Sequence, residues 1–138
     1  LTGDITYFAV LQRAARMLDV LDDLASNHPD LQHVRWVQSV TLAQPGMHFV
    51  MLYRSYRSTY ASTPDSRLLP LLRSAVTAGH PAETVNLPRD TPVEQVRQAL
   101  EEKISEMQQM SMSPLSAAED EARERLLGSF QSALQATH

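Results

Sequence analysis

The sequence predicts an α+β fold: a small antiparallel sheet, built from a hairpin and a short edge strand, covered by helices and followed by a C-terminal helical hairpin, in the order αββαβαα. Three observations carry that expectation. Apolar residues recur at three- and four-residue spacing near both ends of the chain, which is helical periodicity. Two β-branched and aromatic runs, 33–42 and 47–53, flank Ala43-Gln44-Pro45-Gly46, and Pro followed by Gly suits the central positions of a type II turn. A third short run, 83–87, is closed by Pro88.

The first helix is read from Asp4, a good N-cap. From there Ile5, Phe8, Leu11, Ala14, Ala15, Leu18, Leu21 and Ala25 form one stripe, with Arg13, Arg16, Asp19 and Asp23 largely off it. Ser26-Asn27-His28-Pro29 ends it. In 33–42, Val34, Trp36, Val40 and Leu42 share one side of a strand and Arg35, Ser39 and Thr41 the other, with Gln38 interrupting the apolar side. In the return strand Phe49, Met51 and Tyr53 alternate with Val50 and Leu52. Arg54, Ser55, Arg57 and Ser58 then mark its emergence into water. A helical reading of 53–60, which puts Tyr53, Tyr56, Arg57 and Tyr60 on one side, is the alternative.

Thr63-Pro64-Asp65 starts the next helix and Gly79 with Pro81 stops it, with Leu68, Leu69, Leu72, Ala75 and Val76 as its buried side. Pro70 either kinks this helix in its second turn or stands at its start. Residues 83–87 supply the edge strand. Thr91, Pro92 and Glu94 open a helix with Val93, Val96, Leu100, Ile104 and Met107 on its stripe. Ser116 and Glu119 form the capping box of the last helix, whose apolar side carries Leu115, Ala118, Ala122, Leu126, Phe130 and either Ala133 or Leu134. A short link between two such helices implies antiparallel packing.

With 138 residues, 43% of them apolar and 20% charged, the chain suits one ordinary core. We expect a single domain over 1–138, an αββαβ core at 1–90 with a helical extension at 91–138. A first residue of Leu1 suggests a piece of a larger protein, and it leaves an upstream membrane anchor open. No apolar run in the sequence itself is long enough to span a bilayer. The arginine-rich basic set, with Lys103 the sole lysine, suits a GC-rich bacterial genome. The location, bacterial cytoplasm or periplasm, stays open.

Zero cysteines exclude thiol chemistry, and the net charge of −4 disfavours a polyanion as partner. The five histidines, at 28, 33, 48, 80 and 138, have no metal-ligand spacing. Nor is there a nucleophile elbow, a phosphate-cradling glycine loop or a dinucleotide fingerprint. Neither a catalytic centre, a cofactor nor a metal is expected. The acidic clusters read as solvated helix faces.

The element order up to Leu87 is similar in layout to compact αββαβ modules of bacterial secretion and pilus assemblies. With no reactive centre in view, the apolar stripes of the two terminal helices, which need cover, point to a non-enzymatic interaction or assembly module that binds a protein partner or itself, a subunit or adaptor of a larger complex such as those assemblies. Met107, Met110 and Met112 are the first candidate contact residues, because methionine packs adaptably against varied partners. Tyr53, Tyr56 and Arg57, on the sheet's aromatic edge, are the second. A small-ligand or sensory domain, with a pocket between the first helix and the hairpin near Trp36 and Tyr53, is the alternative. Nucleic-acid binding through Arg54 and Arg57 is a third. A KH module is excluded by the missing Gly-x-x-Gly clamp.

Overall fold

A computed structural model describes residues 2–27, 32–42 and 47–137. Seven helices and no strand occur among the described residues: α1 (Thr2–Asn27), α2 (Gln32–Leu42), α3 (Met47–Ser62), α4 (Leu68–Thr77), α5 (Pro81–Thr84), α6 (Val93–Met110) and α7 (Ala117–Ala136). The expected α+β class, with its antiparallel sheet, is therefore replaced by an all-helical fold. The resemblance to αββαβ modules falls with it. The Ala43–Gly46 turn, the His28-Pro29 stop and the side chains of Asp4, Ile5, Val34, Arg35 and Gln38 lie outside what is described.

None of the three supposed strands forms, each for a local reason: the first two are helical and 83–87 is the end of a helix and its exit turn. In α3 the period is carried by Leu52, Ser55 and Thr59, all buried, at spacings of three and four. Two of these carry hydroxyls, so an apolar count along the segment shows alternation where the burial shows a helix. Helix α2 has Trp36, Val37 and Val40 at one- and four-residue spacing, and Thr41 donates its hydroxyl to the Val37 carbonyl one turn back at 2.8 Å. In 83–87 the chain leaves α5 through a Schellman motif: Leu87 N–H donates to Ala82 O and Asn86 N–H to Glu83 O, at 2.9 and 3.0 Å. Asn86 takes the left-handed conformation the motif needs, with φ 62°.

The chain forms two compact units, Leu1–Tyr53 and Arg54–His138, and the division falls inside α3. In the first, α1 packs on α2. Leu11, Ala15 and Leu18 are buried, as the stripe requires, whereas Val10, Met17, Val20 and Leu24 of the same helix are exposed.

In the second unit α4, α5 and α6 all pack on α7. Leu68, Leu69, Leu72, Ala75 and Val76 of α4 are buried together, the set the sequence predicts. Pro70 is the third residue of α4, where its missing N–H would have had no intrahelical partner, so it costs no helical bond. Val96, Leu100, Met107 and Met110 of α6 are buried, and so are Ala122, Leu126, Phe130 and Ala133 of α7. Full burial of a Leu or Phe stabilises by about 1.5–3 kcal/mol, so this layer dominates the unit.

The junctions are polar and specific. Ser116 caps α7 with a complete capping box, its hydroxyl accepting from Glu119 N–H and its own N–H donating to the Glu119 carboxylate, both at 3.2 Å. The other oxygen of Glu119 accepts from the buried Ser66 hydroxyl at 2.9 Å, and Ser66 Oγ also accepts from Leu68 N–H at the start of α4. One carboxylate thus joins the first turns of two helices. The Ser66 hydroxyl, followed by the Ser116 N–H and helped by the nearby Arg67, holds Glu119 below the usual carboxylate range against an opposing effect of burial.

At the other end of α6, Ser111, Met112 and Ser113 turn their N–H groups to Gln108, Gln109 and Met110. That leaves the Met107 carbonyl for the buried Arg123 guanidinium, which donates to it at 3.3 Å and pairs with Asp120 at 3.0 Å. All four terminal carbonyls of α6 are satisfied this way.

Candidate functional site

Three surfaces compete as sites: a cleft in the second unit, the aromatic stretch of α3 and the outer side of α1. The cleft, of about 550 Å³, lies between the first turns of α4 and the last turns of α6. Leu68, Pro70, Leu71, Met107 and Met110 give it an apolar wall, and Arg67, Lys103, Glu106 and Ser113 a polar rim. Lys103 is paired with Glu106 at 2.9 Å, so that cation is already balanced.

The structure separates the three methionines. Met107 and Met110 are buried in the second unit and touch the outside only as cleft wall, whereas Met112, past the end of α6, is 89% exposed. They do not form a continuous methionine surface.

Tyr53, Tyr56 and Arg57 are half-buried along α3, on no sheet edge. Tyr56 and Tyr60 lie nearly parallel with ring centroids 6.3 Å apart, one helical turn from each other. Arg54 and Arg57 are each held by an interaction within the chain. The arrangement follows the helical reading of 53–60. The proposed ligand pocket beside a hairpin has no hairpin, and Trp36 is 62% exposed on α2.

The outer side of α1 is the surface that sequence reasoning missed. At 100° per residue, Val10, Met17, Val20 and Leu24 fall within about 80° of one another and roughly opposite the buried Leu11, Ala15 and Leu18. The four are 55%, 67%, 58% and 41% exposed. Their seven- and three-residue spacing is a seam of coiled-coil type, and it was the available signal. Attention to the first stripe, which is longer, hides the second.

Among the described residues no three His, Asp or Glu side chains converge as metal ligands. His80 is used structurally, its Nδ1 accepting from Ala82 N–H at 3.2 Å to cap α5. His48 is exposed on α3, and His28, His33 and His138 lie outside the described side chains. No described helix is long and apolar enough to cross a membrane.

Compared with protein-family models, curated proteins and solved structures, the chain matches none. Function has to be argued from the surfaces themselves.

Proposed function

We propose that this chain is a non-enzymatic interaction or assembly module that binds protein through the outer side of α1. The observation that supports the reading is the exposure of four large apolar side chains in one line on a helix whose opposite side is already buried. A single exposed Leu or Val is ordinary on any surface, but an aligned seam that water covers at a cost is a contact waiting for its other half. One flank of the seam carries Arg16 and Asp23, and the acidic member disfavours the anionic lipid surface that a purely basic flank would seek.

A photo-crosslinking residue placed at Met17 tests this in the native cell. Adducts with protein are expected from position 17 and not from Glu102, an exposed position of α6. Equal labelling from both positions would count against the reading.

A second reading, a small-ligand or sensory domain, is favoured by the α4–α6 cleft, whose volume lies within the range of ligand pockets. A ligand there would shift the methyl resonances of Met107 and Met110 and leave Met17 unmoved.

A further inference from the structure

We infer that the occupant of the α1 seam is the α1 of a second copy of this chain, running antiparallel, with Arg16 of each copy facing Asp23 of the other. This rests on the interaction reading and names its partner.

The argument is one of self-complementarity. With Val10, Met17 and Leu24 at the first apolar position of a heptad, Val20 takes the second, and so does Arg13. In an antiparallel pair, first positions of one helix meet second positions of the other. Met17 then packs on Val20 of the second copy, and Leu24 on the aliphatic stem of its Arg13, whose charged head reaches water. The same register brings residues 16 and 23 opposite each other on one flank, twice by symmetry. Both side chains are exposed and of opposite charge.

On the other flank it brings Ala14 against Leu21, both half-buried in the single chain and apolar. Each copy offers the same patch, as an isologous two-fold contact demands. A parallel pair would set Arg13 against Arg13 in the middle of the seam and give Arg16 a Leu21 neighbour. The antiparallel order is selected by charge, since Arg13 and Arg16 precede Asp19, Asp22 and Asp23 along the stretch of α1 that carries the seam. The α1 seam therefore carries both halves of its own contact.

Sedimentation velocity of the full chain over a concentration series tests the proposal. The wild type is expected to approach the mass of two chains. Arg16→Asp and Asp23→Arg, each alone, should weaken the dimer by about tenfold or more, and the two together should restore it to within roughly threefold of wild type. Circular dichroism of each variant checks that α1 remains helical, since both positions are exposed.

Because the chain has no cysteine, direction is read by thiols. A mixture of Val10→Cys and Asn27→Cys proteins should form a mixed disulfide, while Val10→Cys alone should not. A disulfide in Val10→Cys alone, failure of the double charge swap to restore the dimer, or a monomer at every concentration would overturn self-pairing. In that last case a Met17 crosslink to another protein would leave the interaction reading standing, and the absence of any adduct would remove both.

Discussion

Arg123 and Glu119 carry the specific polar chemistry of the second unit, and each does two jobs. The Arg123 guanidinium is buried, so its bonds to the Met107 carbonyl and Asp120 replace water it has lost. Arg123→Ala would leave that carbonyl without its donor and is expected to destabilise the chain by about 1–3 kcal/mol, measured as a lower urea midpoint at unchanged slope. Glu119 makes a pH prediction. Its carboxyl sits below its ordinary value in the folded chain, so the unfolded chain binds more protons in that interval. The stability it contributes is fully present above roughly pH 4.3, the ordinary glutamate value, and is lost as pH falls through the lower folded value. Glu119→Gln should flatten the acid limb of a stability–pH curve while lowering the neutral plateau. An acid limb identical to wild type would show that Glu119 does not carry this linkage. Only the Ser116–Glu119 box is legible in the sequence, because it is local to four consecutive residues; the Glu119 bond to Ser66, 53 positions away, and the Arg123 bond to Met107 O have no signal there.

Elements were legible where periodicity and punctuation agreed. The stripe of α1, the buried five of α4 and the boxed start of α7 follow from spacing and caps, because helical period and N-cap chemistry are local physics. The segments of α2, the first half of α3 and the exit turn of α5 read as strands because short runs rich in Val, Thr and Tyr satisfy both periods. What decides between them is whether a ladder partner exists, and that is a property of the whole chain. In α3 the buried Ser55 and Thr59 disguised the helical period. In 83–87 the decisive residue is Asn86, which accepts the left-handed turn that ends α5. Asn86→Gly should therefore be tolerated, whereas Asn86→Val, β-branched and strained at positive φ, should cost about 1–2 kcal/mol in thermal or urea unfolding. Equal stability of the two variants would remove the Schellman turn as the reason the segment is not a strand. Of the candidate site, Met107 is legible on the buried stripe of its helix, whereas the separation of buried Met110 from exposed Met112 is not. The outer seam of α1 was visible as a seven-residue spacing and was overlooked beside the stronger stripe.

For the whole molecule, the two compact units differ in how much of the described core they hold. Among the described residues Leu18 and Leu52 are the large, fully buried side chains of the first, while the second holds Phe130, Leu68, Leu72, Leu100, Met107, Leu126, Val76 and Thr59. Local stability follows buried apolar contact, so the first unit should open at lower denaturant. Trp36, the sole tryptophan, lies in that unit and reports on it alone. Its fluorescence midpoint is expected below the midpoint from far-ultraviolet circular dichroism, and coincident curves would mean that the units unfold as one. The position of α7 has a further consequence during synthesis. Helices α4, α5 and α6 all pack on α7, yet α7 is the last of them to leave the ribosome. At about 5–20 residues per second, Leu72 waits roughly 3–10 s for Leu126 to be made. Through that interval the oily side of α4 is a nascent-chain liability for chaperones to shield, and a stop codon before residue 117 would make the liability permanent.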